Sequence, residues 1–538
     1  MESTSIPGAG AAPVAVGGGG SEPEGSAKGL KSGSLNLFSS VVIAVASVAP
    51  AYSLAATLGL IAAAVGLRSP FIMILSFIPM IMVSSAFYWM NKADPDCGQS
   101  FIWSVRAFGP QVGWAVGFAA IAASMIVMAN LVQIASLYML QFLNLHSLAS
   151  SNFWVTFFGV LWLVGIGVIV AVGIEVSART QYILMGVQMI SMFVFAAWAL
   201  IKAYTFHPSY TISGHKPPIV VHNVHVYLTW FSWHQLSWTQ VTQGIVLAVF
   251  LYWGWDTATS VNEESQNSRI LPGVSAVLST VLLVITYVFV TVACQAYLGD
   301  RYLALNWADI FTPLARAVGG PSLPGQILFR FVMVAVFTSG AASALTTLLP
   351  LTRSTLSMAS HKAFPKIFGK VHPKYMTPFW GTVIMTIISI VWYAGMTAIS
   401  PNILGDAIGA LGLMVCFVYG FTGFSSGIYY RKELFKSVKN FLLIGLVPFV
   451  GGIMMLVVLY YAGKTYYDPS YSYTAYGTGI PIFGLHVGVT FAIGVGVIAL
   501  SFILMFVTWP IYKTFYARKP ETWPGEGEPI PYSDETVL

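Results

Sequence analysis

The sequence predicts an all-α integral membrane protein with twelve transmembrane helices. The first ten would form two five-helix repeats of inverted orientation, and the last two would stand outside them. Three observations predict this. The 538 residues are 57% hydrophobic and only 8% charged, with a mean hydropathy of +0.76, which is more apolar surface than a soluble core needs. Apolar stretches recur along the chain, each long enough, at about 1.5 Å per residue, to cross a bilayer. The first and the sixth of them are interrupted near their middle.

Residues 1–34 are Gly, Ala, Pro and Ser with scattered charges, a composition that reads as a disordered tail. The basic and short apolar regions of a signal peptide are missing from it. The expected spans are 37–65, 69–90, 110–142, 153–174, 180–203, 241–262, 272–298, 325–358, 379–398, 404–430, 440–463 and 484–513. The third and eighth are long enough to imply tilt. The core would cover 35–435, with repeats at about 35–203 and 241–430, followed by two further helices within 436–513 and a tail at 514–538. Most of the 25 lysines and arginines fall on the side of the termini, among them Lys362, Lys366, Lys370 and Lys374. The positive-inside rule then puts both termini in the cytoplasm of a plasma-membrane protein. It also accounts for the net charge of +6 without a nucleic-acid partner. Cys97, Cys294 and Cys416 are too few and too scattered for a disulfide framework or a zinc site.

The first interruption lies in Ser47-Val48-Ala49-Pro50-Ala51-Tyr52-Ser53, where Pro50 removes a backbone donor near mid-span. The sixth span runs apolar to Tyr252 and then meets Trp253-Gly254-Trp255-Asp256-Thr257. Irregular backbone and a carboxylate at that depth survive only where protein or water covers them. Paired interruptions at matching positions of two halves point to a transporter binding site. The second break comes five spans after the first, an odd number, so the halves are inverted.

Three stretches resemble the amino acid–polyamine–organocation (APC) permeases. FLYWGWDTATSVNEESQNSRILP (250–272) is similar to that family's aromatic–Gly–aromatic–acid stretch with its Glu-Glu-x-x-Asn and proline. DPDCGQSFIWSVRAFGPQVGW (94–114) resembles its inner loop before an Arg-x-Phe-Gly-Pro, and MASHKAFPKIFGKVHPKYMTP (358–378) its inner loop after the eighth span. The resemblance covers roughly 35–440. It implies a LeuT-like fold and secondary transport of a small amine or amino acid by alternating access. Two departures stand out. The Gly-x-Gly of many members is Val48-Ala49-Pro50-Ala51 here, and a lysine that some relatives carry in the fifth span falls on Gln188.

A zwitterion needs donors for its carboxylate and acceptors for its ammonium, and broken helices offer both. The carboxylate is expected at the amides of Ala51, Tyr52 and Ser53. The ammonium is expected at the carbonyls of Val48, Ala49, Tyr252 and Trp253 around Gly254. Trp253 and Trp255 would shape the pocket or gate it, or simply pack between helices. Asp256 reads either as the proton-coupling carboxylate or as a cap on the second half-helix through the amides of Ala258 or Thr259. Asn130 and Gln133 would reach the cavity or bond between helices. Ser339 and Ser343 would line the site, hold sodium or pack closely. Glu263, Glu264 and Arg106 are candidates for an inner-gate ion pair. Five of the nine histidines fall between His207 and His234, and His222 and His225 have metal-like spacing but no further ligands, so no metal is expected.

The leading reading is therefore an amino acid permease, coupled to protons, with sodium left open and no other cofactor. The alternatives are a polyamine or other organic-cation permease, or a substrate sensor that keeps the fold without transport. No phosphate-binding loop for ATP and no catalytic constellation is visible, so an enzyme is not expected. The substrate's identity and the oligomeric state are not legible.

Overall fold

The computed structural model of the chain describes residues 28–212, 219–400, 402–474, 479–482 and 485–525. Most of the N-terminal tail, the end of the C-terminal tail, and His215 and Lys216 of the outer loop lie outside the described residues. Among the described residues, ten helical stretches are long and apolar enough to cross a membrane. The first of them, Leu37–Ala93, contains the first two expected spans. The sixth expected span contributes only the shorter apolar helix Trp238–Tyr252 before its interruption.

The helices sort into an inner set and an outer set. In Leu323–Ser360 and Ile403–Tyr429, 89% of the most apolar window is buried within the protein, against 33% in Phe379–Ile399 and Val489–Thr508. The outer helices turn large apolar side chains outward, such as Phe153, Val168, Ile190, Val391 and Phe506. That pattern suits a lipid surround and not water. Pro110–Phe142 packs along Leu323–Ser360, Ser69–Ala93 along Leu271–Leu305, and Ile403–Tyr429 along Val447–Tyr467. Small residues permit the closest approaches. A Cβ on Gly340 would stand 2.9 Å from the Leu131 carbonyl oxygen, and one on Gly412 only 2.3 Å from that of Val246.

The architecture is not wholly helical. Among the described residues, two short antiparallel pairs occur, Ser209–Ile212 with Ile219–His222 and Ile480–Ile482 with Leu485–Val487. The second pair occupies the expected beginning of the last span, which starts as a helix only at Val489. The segment after Asp94 is also helical, as Ser100–Phe108.

At the end of the bundle that carries both described terminal segments, the interrupted sixth stretch is pinned by a buried ion pair. Arg353, with no exposed surface, donates from Nε and Nη2 to the two oxygens of Glu264 at 3.1 and 3.0 Å. This fork is the geometry in which a buried pair offsets most of its desolvation. Arg353→Met leaves the Glu264 carboxylate buried without its partner, and should cost about 3–5 kcal/mol. The double variant Arg353→Met/Glu264→Leu should recover much of that loss. Melting of the purified protein reads both, and an unchanged single variant would show the pair to be solvated.

Candidate functional site

The first break is a single residue wide. Asn36 caps the helix Leu37–Val48, its Oδ1 accepting from the Ser39 amide at 2.8 Å. The helix ends at Ala49, which adopts a left-handed conformation (φ 51°, ψ 70°). Pro50 then opens Pro50–Val65 from the first helical position, where its missing N–H has no partner to lose and its fixed φ suits the turn. The second break is wider. The helix Trp238–Tyr252 starts from a capping box of Ser237 and Gln240. It stops at Trp253 (φ −65°, ψ 141°) and passes through Gly254 at φ +121° before the short helix Thr257–Ser260.

The two breaks touch. Ser47 Oγ and Thr257 Oγ1 lie 2.7 Å apart. A Cβ on Gly254 would stand 2.9 Å from the carbonyl carbon of Ser47 and 3.0 Å from the Val48 nitrogen. Glycine is thus required twice here, by conformation and by contact. The polar backbone released by the first break is met mostly by hydroxyls. Ser343 Oγ donates to the Ser47 carbonyl at 2.5 Å, and Ser53 Oγ to that of Val48 at 2.5 Å. The Tyr52 amide donates to Ser339 Oγ at 3.2 Å, and the Ser53 amide to the Ala49 carbonyl at 2.8 Å.

A cavity opens beside this junction. Val48, Tyr52, Ser53, Trp253, Gly254 and Asp256 line it, with Ser47, Thr257, Ser343 and Thr347 adding hydroxyls. Leu131, Val127 and Ser124 of Pro110–Phe142 form one wall, and Val415 and Val418 of Ile403–Tyr429 another. Toward the end that carries the terminal segments, the cavity is lined by Gly98, Gln99, Ser100 and Phe101. Asp256 is the one charged residue in the lining. Its side chain makes no capping bond. The Thr259 amide (2.8 Å), Thr259 Oγ1 (2.8 Å) and Gln99 Nε2 (2.9 Å) all go to its main-chain carbonyl. The Ala258 amide goes to Trp255. The cap expected of Asp256 is therefore absent, because the backbone turn takes those amides first. Its carboxyl faces the Tyr419 hydroxyl, which makes no aligned hydrogen bond of its own.

Other expected site residues lie elsewhere. Ala49, Pro50 and Ala51 shape the break but do not line the cavity. Tyr252 is buried, its hydroxyl on the Met73 carbonyl at 3.0 Å. Trp255 is buried between Phe87 and Tyr419, with ring centroids at 4.9 and 5.2 Å, and it is outside the cavity lining. Ser339 holds the Tyr52 amide from outside the lining. Gln133 accepts from the Tyr393 hydroxyl and lines a second, smaller cavity with Asn130. Its helix turns that face away from the breaks. Two of the three amides expected to receive a carboxylate, those of Tyr52 and Ser53, already have partners. Glu263, Glu264 and Arg106 do not pair with one another. Glu263 binds Lys28 at 2.6 Å, Glu264 binds Arg353, and Arg106 binds Asp94 at 2.9 Å and Glu521 at 2.8 Å. Sequence reasoning passed over Ser47, Thr257 and Gln99. The first two flank the breaks directly, which was the available signal, while Gln99 gives none.

Residues 35–479 match a protein-family model described as "Amino acid permease". The chain is also similar to a protein described as "Methylthioribose transporter" from Bacillus subtilis (strain 168), at 24% identity over 156 residues, covering 27% of this chain and 31% of that protein. That match spans about a third of the relative's length.

Gly254→Ala forces a side chain into the Ser47–Val48 backbone at a φ that alanine avoids. It should destabilise the protein by about 1–3 kcal/mol and separate Ser47 from Thr257. A variant that melts like the parent would show the second break to be pliable enough to absorb the methyl group.

Proposed function

The chain belongs to the amino acid permease family, and on that premise we propose that it is a secondary active transporter of a small amino acid, working by alternating access and coupled to protons. The observation that carries this reading is a cavity at the meeting point of two broken helices, with Asp256 as the single carboxylate of its lining. That placement fits the plan of two inverted five-helix repeats and two further helices, with both termini in the cytoplasm of the plasma membrane.

A substrate carboxylate would take the amide of Tyr52, a residue of the lining, at the positive end of Pro50–Val65, with the Ser339 hydroxyl giving way. The ammonium would sit toward Asp256 and the carbonyls around Trp253. Charge balance then supplies the coupling. A lone carboxylate away from water is costly unless something positive accompanies it. A proton on Asp256 would neutralise the carboxylate while the loaded cavity closes, the zwitterion being met by the released backbone groups, so that proton and substrate cross together. A diamine would demand more acidic groups than this lining holds, which favours a single amine. The row of hydroxyls (Ser47, Ser53, Thr257, Ser343, Thr347) supports a second reading, a neutral polyhydroxyl solute such as the one in the relative's name.

Uptake into proteoliposomes tests these readings. Labelled amino acids, putrescine and methylthioribose are offered with and without an inward proton gradient. We expect gradient-dependent uptake of an amino acid, reduced about a hundredfold in Asp256→Asn, the scale of losing a positioned proton-transfer group. Uptake of methylthioribose alone would favour the second reading. Gradient-driven uptake unaffected by Asp256→Asn would remove the carboxylate from the coupling.

A further inference from the structure

The end of the bundle holding the terminal segments carries a chain of charged groups that the cavity does not use. Lys28 Nζ lies 2.8 Å from Asp96 Oδ2 and 2.6 Å from Glu263 Oε1. The same Asp96 oxygen meets His361 Nε2 at 2.9 Å, and Asp96 Oδ1 accepts from Ser357 Oγ at 2.6 Å and from the Gly98 amide at 2.7 Å. On its other side, His361 Nδ1 is 3.0 Å from Arg518 Nη1. His361 and Arg518 are both buried, at 4% and 9% exposure.

These partners fix the imidazole's proton. A guanidinium only donates, so the nitrogen facing Arg518 must present a lone pair, and the hydrogen must sit on Nε2, toward the Asp96 carboxylate. His361 is therefore neutral in this arrangement. The one place for a further proton is Nδ1, which would remove the acceptor and set two cations face to face. The groups around the ring come from four elements: Lys28 from the N-terminal segment, Asp96 from the 94–99 loop, Arg518 from the C-terminal segment, and the ring of Phe101, itself stacked on Phe515; Cys97 lies on the far side, against Lys28. Glu263 lies behind Lys28, and Glu521 acts on Arg518.

Arg518 is one anchor of a segment that crosses this end of the bundle. The Glu521 carboxylate binds Arg106, and its amide donates to the Arg106 carbonyl at 2.6 Å. The Trp523 amide donates to the Tyr429 carbonyl at 2.9 Å, with its ring against Tyr429 and Tyr430. Phe515 stacks on Phe101, which lines the cavity. The segment thus ties helix Ser100–Phe108 to the ends of Leu323–Ser360 and Ile403–Tyr429. Widening the cavity end formed by Gly98–Phe101 would have to break these contacts.

We propose that residues 513–525 are a proton-released strap: a proton added to His361 Nδ1 expels the Arg518 guanidinium, and the freed segment lets this end of the cavity open. Burial, opposed by Asp96 and reinforced by Lys28 and Arg518, holds His361 below its ordinary range. The strapped state therefore binds fewer protons than the released one. The strap is complete above about pH 6.5, the ordinary value for a free imidazole, and is lost as the pH on this side falls below it.

Pulsed electron paramagnetic resonance on the full-length protein in nanodiscs tests the strap without any substrate, so its failure is separate from a failure of the transporter reading. Spin labels go on Lys366→Cys and Lys519→Cys, both exposed positions, while the three native cysteines are buried. One narrow distance is expected at about pH 7.5, and a second, longer and broader population at about pH 5.5. His361→Gln, which can still donate to Asp96 and accept from Arg518, should keep the narrow distance at both values. Arg518→Ala should show the longer population at both. An unchanged distance in the parent at low pH, an equal acid response in His361→Gln, or a narrow distance in Arg518→Ala would each overturn the proposal.

Discussion

Backbone that leaves its helix within a bilayer-length stretch needs polar partners from the protein itself. Most of this structure follows from how that need is met. The bond between Ser47 and Thr257 joins the two breaks, and hydroxyls from Ser343, Ser53 and Ser339 meet the carbonyls and the amide that the first break releases. Two of those hydroxyls come from Leu323–Ser360, which must therefore lie directly behind the break. That explains its burial and the run Ser339-Gly340-Ala341-Ala342-Ser343-Ala344, small enough for close approach on both faces. The cavity is the space left where the breaks hold the surrounding helices apart.

The positions of the breaks were legible because their signals are local: a proline at the first helical position, a glycine at positive φ, and a carboxylate in an apolar run. The long apolar spans were legible for the same reason. Which group satisfies which was not. The capping amides near Asp256 go to main-chain carbonyls, a choice made by the exact turn after Gly254. Gln133 lies in the helix that lines the cavity, but about half a turn round from Leu131, which places it against Tyr393 instead. Glu263, Glu264 and Arg106 each take a different partner, because Lys28, Arg353 and Glu521 come from segments hundreds of residues away in some cases. Composition places charges at a membrane boundary, but it carries no information about their register.

Charge is divided unequally through the molecule. The cavity lining holds one carboxylate, while the end with the terminal segments holds interlocked pairs around Asp94, Asp96, Glu263 and Glu264. Buried pairs add little net stability compared with apolar packing, but breaking one is expensive. Such a set therefore acts less as glue than as a lock that admits few alternative arrangements. Asp96 is its centre, since Lys28 and His361 both reach the same oxygen. Burial opposes ionisation there, but Lys28 and His361 prevail and hold its carboxyl well below the usual range. Asp96 therefore stays anionic throughout the range in which His361 titrates.

The two breaks differ in stiffness, and this decides where a conformational change can be absorbed. Ala49 holds a left-handed conformation that costs an ordinary residue about 1–2 kcal/mol, and Pro50 fixes the next φ. With the hydroxyls of Ser53 and Ser343 on the adjoining carbonyls, the first break has one conformation and little freedom to leave it. The second break has glycine at φ +121° and four residues, Trp253 to Asp256, between its helices. It is also the break that carries the carboxylate. A change of charge at Asp256 therefore acts on the more adaptable of the two joints, while the first break serves as the fixed surface against which that joint turns.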